Sequence, residues 1–493
     1  MTFNDTPLEQ IDGILQQAQV AFLSYKNLNG KKKAAFLRAI ADEIEALDHQ
    51  LIKTAMRETN LPEARIIAER TRATGHCRMF ADVAEEGSWV EARIDTAIPH
   101  RVPTPKPDIR KMLVPIGPVV VFGAANFPLA YSTAGGDTAS ALAAGCPVIV
   151  KAHPAHPETS SLVAEAIFKA MQTTGMPKGV FQHVYGSSFA VGQALVKHPL
   201  TKAVGFTGSL AGGKALFDIA CQRPEPIPVF AEMSSINPVI LLPETLKRDA
   251  EIIATRMAGS ITLGVGQFCT NPGLIIALDD EGLDRFIQHL AKAIEETLPG
   301  TMLHAGIAEN YHSKLKRALE QKGVKTEAAA KQEGNAMEGR PLVASVNADD
   351  FLNNPTLAEE VFGPFSLIVR CKSWDLLNRV ISHLHGQLTA TIQGDEEEIK
   401  AHPSLLNILI EKAGRLIING VPTGVEVCPS MMHGGPFPAT TDSRFTAVGR
   451  DAVKRFARPV AFQNFPDALL PDELKASNPL NIWRMLNNEW GKH

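Results

Sequence analysis

Between Asn29 and Ala73 apolar residues return at helical steps. Ala34, Leu37, Ile40, Ile44 and Leu47 stand three or four apart, the spacing of one buried helix face. Further on the pattern changes. Val119-Val120-Val121-Phe122 and Val148-Ile149-Val150 are short, uninterrupted apolar runs suited to strands buried on both faces. The small-residue stretch Ala130 to Ala144 between them predicts a closely packed helix. Leu162, Val163, Ala166, Ile167 and Ala170 predict an amphipathic helix closed by Gly175 and Pro177. Strand Val180–Val184, a short helix Ala190–Val196, strand Ala203–Phe206, helix Gly213–Ala220 and strand Val229–Glu232 continue the alternation. Strand and helix at this spacing predict an α/β fold with a doubly wound, mostly parallel sheet. A second α/β block follows, with helix Ala250–Leu263, strand Leu274–Leu278 and helix Leu283–Leu298. Residues 321–340 are polar and read as a surface excursion. Pro103 to Pro107 mark a turn between two extended arms, Ala97–Val102 and Ile109–Val114, as in a projecting hairpin.

At 493 residues the chain is too long for one simple core, so two or three domains are expected. A formal net charge of -4 leaves no basic footprint for nucleic acid. Met1 to Gln10 lacks the apolar core of a signal peptide. The longest apolar stretch, Leu113 to Ala130, is broken by Pro115, Gly117, Pro118, Gly123, Asn126 and Pro128, so no membrane partner is expected. Cys77, Cys146, Cys221, Cys269, Cys371 and Cys428 show neither a CxxC pair nor zinc spacing with histidine. A reducing cytoplasm and no bound metal are the expectations.

Four places carry candidate chemistry. Cys269, in Gly266-Gln267-Phe268-Cys269-Thr270, lies between a helix and a strand, where nearby backbone N–H groups favour a thiolate nucleophile. A lone cysteine is more often buried and inert, so this reading needs company. Glu232 ends an apolar run, and a carboxylate at the carboxyl end of a parallel strand faces the ligand crevice or caps a helix. Phe206-Thr207-Gly208-Ser209-Leu210-Ala211-Gly212-Gly213 joins a strand to a helix, and its small residues let backbone approach a pyrophosphate, though it is not GxGxxG. Asn126, in Asn126-Phe127-Pro128, follows another strand end, where its amide either donates to a developing oxyanion or merely stops the strand.

Taken together these sites resemble the aldehyde dehydrogenase superfamily, in order and spacing over about residues 10 to 465. Asn126-Phe127-Pro128 resembles its oxyanion motif, Val150-Lys151 its cofactor lysine, Gly208-Ser209 and Gly213 its cofactor turn, Glu232 its general base and Cys269 its nucleophile. Glu360-Val361-Phe362-Gly363-Pro364 resembles the motif that holds the nicotinamide ribose, and Gly414 to Asn419 the strand that follows. The resemblance implies a Rossmann-like dinucleotide-binding domain (1–96 and 116–233), a catalytic domain (234–453) and oligomerisation arms with a C-terminal tail (97–115 and 454–493). It further implies a homodimer or homotetramer, a small-molecule aldehyde substrate and a covalent mechanism through Cys269, with a nicotinamide dinucleotide as oxidant.

Departures from the commoner pattern narrow the resemblance to an NADP-using bacterial branch. Ala124-Ala125 precede the oxyanion Asn126, Pro154 replaces a frequent glutamate, and Met432-His433-Gly434-Gly435 replaces Pro-Phe-Gly-Gly. NADP is therefore the expected cofactor, with NAD as an alternative. Lys151 supplies a positive group, as do His153 or Lys214, unless Lys214 is a solvated helix residue. His433 either assists at the thiol or packs. The tail from Phe462 to Pro471 resembles the ketoglutarate semialdehyde group, which implies 2,5-dioxopentanoate as substrate in a tunnel lined by Phe127, Tyr131 and Phe268. Its carboxylate needs a cation, and Arg444 is the candidate unless it pairs with Asp442. A long-chain aldehyde is the alternative. A non-catalytic relative would have lost Cys269, Glu232 or Asn126. A cysteine hydrolase would have no use for the cofactor turn, and an acylating enzyme no use for Glu232.

Overall fold

The computed structural model describes residues 3–493. Four helices open the chain: α1 (Gln10–Tyr25), α2 (Gly30–Ala46), α3 (Asp48–Thr59) and α4 (Glu63–Glu86). The single helical pattern expected over Asn29–Ala73 is therefore three helices. α1 went unpredicted, although Ile11, Leu15, Ala18 and Tyr25 bury one face of it. Asn29 caps α2 by accepting from the Lys32 N–H at 3.0 Å.

Strands β1 (Arg93–Asp95) and β2 (Ile109–Pro115) come next, pairing antiparallel. Ala97–Val102 is not the expected partner arm. Only one bridge, Ile98 to Lys106, crosses that turn, since Pro99, Pro103, Pro105 and Pro107 carry no N–H to donate to a ladder.

The predicted doubly wound sheet follows as β3 (Val119–Phe122), β4 (Val148–Lys151), β5 (Phe181–Val184), β6 (Ala203–Thr207) and β7 (Val229–Glu232). All are parallel, in the order β5-β4-β3-β6-β7. The chain winds outward through β4 and β5 and then crosses back to β6. A crevice therefore opens between the carboxyl ends of β3 and β6. Its helices are α5 (Gly136–Ala144), α6 (Pro157–Thr173), α7 (Phe189–Lys197) and α8 (Leu210–Cys221). α5 begins later than expected because residues 130–135 form turns.

The second block holds α9 (Pro243–Thr262), α10 (Glu281–Glu296) and strands β8 (Val239–Leu241), β9 (Leu274–Leu278), β10 (Gly300–Thr301), β11 (Lys325–Ala329), β12 (Glu338–Gly339), β13 (Leu342–Asn347), β14 (Phe365–Cys371), β15 (Gln387–Gln393) and β16 (Ala413–Ile418). Seven of them form a sheet ordered β11-β13-β14-β9-β8-β15-β16, parallel except for β11. The polar excursion expected at 321–340 thus contains an edge strand, half solvated as edges tolerate.

A third sheet, β17-β2-β1-β18-β19, adds β17 (Ala457–Gln463), β18 (Arg484–Leu486) and β19 (Glu489–Gly491). Among the described residues no helix is long and apolar enough to cross a membrane.

Candidate active site

Three chain segments converge where the first two sheets meet. Glu232 is the last residue of β7 and 5% exposed. The C-terminal segment runs beside it, held by Met233 N–H to Ala439 O at 2.9 Å and Thr441 N–H to Ala231 O at 3.1 Å. That segment carries His433, followed by two glycines where backbones press together. A Cβ on Gly414 of β16 would collide with the Gly434 carbonyl. Cys269 arrives from α9 through Gly264-Val265-Gly266, all three with positive φ (54°, 59° and 64°). For β-branched Val265 that conformation is strained, on the order of 1–3 kcal/mol, and is held by the packing of Gly266 against Gly363.

The result is compact. Cys269 Sγ lies 3.6 Å from His433 Nε2, which lies 3.1 Å from Glu232 Oε2. The ligand-type atoms of all three fall within 4.8 Å of one another, a set of the kind that takes a metal ion, which no sequence spacing revealed. Burial, reinforced by the neighbouring Glu232 charge, holds the Cys269 thiol well above its ordinary value. Burial also pushes Glu232 up, but the His433 charge and hydrogen bonds from His433 and Cys269 outweigh it and the net direction is down. A protonated thiol therefore faces an ionised carboxylate. That arrangement suits a nucleophile with its proton acceptors in place.

Asn126, just beyond β3, donates one amide hydrogen to Gln267 O at 3.1 Å, which aims the side chain at the nucleophile loop and leaves the second hydrogen for an oxyanion. Asn237 fixes that loop from behind, donating to Cys269 O and Asn271 O at 2.9 Å each. The aromatics expected to line a tunnel do meet. Phe127 contacts Tyr131 at 5.1 Å and Phe268 at 5.7 Å between ring centroids.

Sequence reasoning missed the arginines around these rings. Arg65 of α4 lies 4.6 Å from both Phe127 and Phe268. It pairs with buried Glu69 at 2.8 Å and donates to Asn126 O at 3.2 Å. Glu69 accepts from the Leu129 and Ala130 N–H groups as well, so α4 clamps the Asn126 loop. Arg72 lies 5.2 Å from the Tyr131 ring and 6.0 Å from the Phe127 ring; its charge draws the thiol's value down, and that of Cys269 draws Arg415's up.

Arg444, the predicted carboxylate partner, sits elsewhere. Its side chain is 80% exposed and forks onto Asp442, two residues away. Solvent and that carboxylate already satisfy it, so it is not a tunnel cation.

On the cofactor side, Ser209 caps α8 by accepting from the Gly212 N–H at 3.2 Å, and residues 208–211 stay exposed at the carboxyl end of β6. Lys151 is half-buried at the end of β4, its ammonium pulled down by burial, with no carboxylate in ion-pair range among the described residues. An exposed helix N-terminus and an uncompensated cation two strands away along the same sheet edge fit a dinucleotide phosphate. Gly213 faces the protein instead, since a Cβ there would meet Met233. Lys214 pairs with Asp218 at 2.7 Å on the surface. His153 is stacked on His156, and burial keeps it neutral, so it supplies no positive charge. Glu360 and Phe362 line one cavity with Phe268. Ser234 Oγ donates to Glu360 at 3.0 Å, yet burial raises that carboxyl to about 7.

Comparison with known proteins follows the same lines. The model of the aldehyde dehydrogenase family matches residues 1–437. The chain is 52% identical over 475 residues to alpha-ketoglutaric semialdehyde dehydrogenase 2 of Azospirillum brasilense, covering 96% of this chain and 90% of the relative. It is 46% identical over 486 residues to the alpha-ketoglutaric semialdehyde dehydrogenase of Acinetobacter baylyi, covering 98% and 92%. The solved 1-pyrroline-5-carboxylate dehydrogenase from Thermus with bound NAD superposes with a TM-score of 0.77 at 21% identity, over 93% of this chain and 86% of that one, a likeness of fold.

Proposed function

The chain belongs to the aldehyde dehydrogenase family, whose members oxidise aldehydes with a nicotinamide dinucleotide, and from that premise we propose that it converts 2,5-dioxopentanoate to 2-oxoglutarate, preferring NADP. The observation that carries the chemistry is the contact chain from Cys269 through His433 to Glu232. The two relatives above, both acting on alpha-ketoglutaric semialdehyde by name, support the substrate.

The Cys269 sulfur attacks the aldehyde carbon, and His433 or Glu232 accepts its proton. The Asn126 amide and the Cys269 N–H hold the resulting oxyanion. Lys151, Ser209 and Glu360 would hold NADP, which when bound would supply the acceptor for the hydride that this carbon gives up. Cys269 is left as a thioester. Glu232 takes a proton from water, the hydroxide adds to the thioester carbon, and the carboxylate product departs as the thiol is restored.

The absence of a carboxylate at Pro154 and the free charge of Lys151 support NADP, which carries an additional phosphate. The three sheets support a dinucleotide-binding domain (1–96, 116–233), a catalytic domain (234–453) and oligomerisation segments (97–115, 454–493). The open edge of β17 supports a homodimer or homotetramer, and we place the enzyme in the cytoplasm.

A substrate panel tests the reading. 2,5-Dioxopentanoate should exceed succinic semialdehyde and hexanal in kcat/KM, with NADP at least equal to NAD. A win for hexanal removes the substrate assignment, and a preference for NAD above about tenfold removes the cofactor preference.

Glu360 adds a pH signature. Its carboxyl is raised to about 7, so it accepts hydrogen bonds from ribose hydroxyls most strongly once ionised, above that pH. The cofactor Kd, followed by fluorescence quenching, should fall as pH rises from 6 to 8. Glu360→Gln should bind more weakly at pH 8 and show a flat profile.

A further inference from the structure

Two cations near the thiol lack a counter-charge. Most charged groups around the aromatic tunnel are matched: Arg65 by Glu69, Glu232 by His433. Arg72, one helical turn beyond Glu69 on the same face of α4, forms no ion pair among the described residues. Its Nη2 donates to the Tyr131 hydroxyl at 2.8 Å and to Val425 O at 3.2 Å, while its Nε is enclosed with no hydrogen-bond partner. Arg415, on β16, repeats the pattern from the opposite domain. Its Nη1 and Nη2 donate to Gly424 O at 3.0 Å and Pro422 O at 2.8 Å, and its Nε is likewise enclosed and unused. The same short loop, Pro422 to Val425, thus anchors both guanidinium groups. The Tyr131 hydroxyl accepts from Arg72, which leaves its own hydrogen to donate.

An enclosed guanidinium with an idle N–H is costly to maintain without a ligand anion. Here two of them donate to one short loop, and Arg72 also lies 5.2 Å from the Tyr131 ring and 6.0 Å from the Phe127 ring. A single anionic group can accept from both and from the Tyr131 hydroxyl.

We propose that Arg72 and Arg415, with Tyr131, form the clamp that binds the carboxylate of the aldehyde substrate. The clamp rests on the keto-acid reading above and gives it a physical basis. In 2,5-dioxopentanoate the carboxylate lies four bonds from the carbon that Cys269 attacks, so one end of the substrate is fixed by charge while the other meets the sulfur. The clamp selects for a terminal carboxylate and gives a plain alkyl aldehyde only the rings to lean on. The charge of Arg72 also favours the Cys269 thiolate, so Arg72 variants should show a small general loss as well.

The test compares wild type, Arg72→Ala, Arg72→Lys and Arg415→Lys on 2,5-dioxopentanoate and on pentanal, a neutral aldehyde with the same number of carbons. Wild type should favour the keto acid. Arg72→Ala should cut kcat/KM for the keto acid about 100-fold, mostly through KM. For pentanal the fall should be no more than a few-fold. Arg72→Lys should recover part of the loss, and Arg415→Lys should raise the keto-acid KM selectively. Glutarate, a dicarboxylate without the reactive group, should inhibit wild type competitively and lose potency in parallel. Equal falls for both substrates, or an unchanged keto-acid KM in Arg72→Ala, would overturn the clamp while leaving the keto-acid reading intact. A wild type that favours pentanal would overturn both.

Discussion

Cys269→Ala abolishes aldehyde oxidation, reducing turnover at least about 1,000-fold, and leaves cofactor binding near wild type. No other thiol can stand in. Cys77, Cys146 and Cys371 are buried and pushed up to about 12, 11 and 12. Cys221 and Cys428 are more open, but neither forms part of the cluster with Glu232 and His433. The substitution removes one sulfur from a loop that is fixed independently by Asn237 on the Cys269 and Asn271 carbonyls. Its phosphate-side groups, Ser209 and Lys151, belong to other strand ends. Absorbance of the reduced nicotinamide measures the first half of this expectation, and quenching of protein fluorescence by added cofactor measures the second. A variant that keeps more than a few per cent of activity would show that sulfur is not the nucleophile.

The parts legible in the sequence are those where function and strand termination coincide. Asn126, Glu232 and the Gly208 turn each follow an apolar run that has to be a buried strand, so the run itself points to the residue beyond it. The carboxylate clamp was not legible, for a physical reason. Arg65, Glu69, Arg72 and His76 recur at steps of three and four along α4, which reads as a solvated polar stripe. Only tertiary packing turns that stripe toward Phe127 and Tyr131. Arg444 was the candidate because the substrate carboxylate needs a cation, but Asp442, two residues away, satisfies it locally. Proximity along the chain is a poor guide to a binding cation when the tunnel wall is built from a remote helix. β11 escaped for a related reason, since an edge strand needs only one apolar face, whereas α1 carries an ordinary helical spacing in Ile11, Leu15, Ala18 and Tyr25.

Glu232→Gln separates the two halves of the reaction. Glutamine keeps the size of the side chain, whose carboxylate lies 3.1 Å from His433 Nε2, but it cannot accept a proton at neutral pH. Thioester formation needs the thiol proton removed, and His433 Nε2, 3.6 Å from the sulfur, remains available for that. Thioester hydrolysis needs a base that activates water, the role proposed for the ionised Glu232 in this crevice. The variant should therefore give a rapid burst of reduced cofactor, close to one per active site, followed by a steady state slowed about 100- to 10,000-fold. The accumulated acyl group should appear in the intact mass of the quenched protein. His433→Asn, in turn, should slow the burst and change the pH profile of that phase, because it removes an imidazole 3.6 Å from the thiol. If the burst and the steady state of Glu232→Gln fell together with no acyl adduct, Glu232 would be serving the thiol instead of the water. The hydrolytic base would then have to be another group facing Cys269.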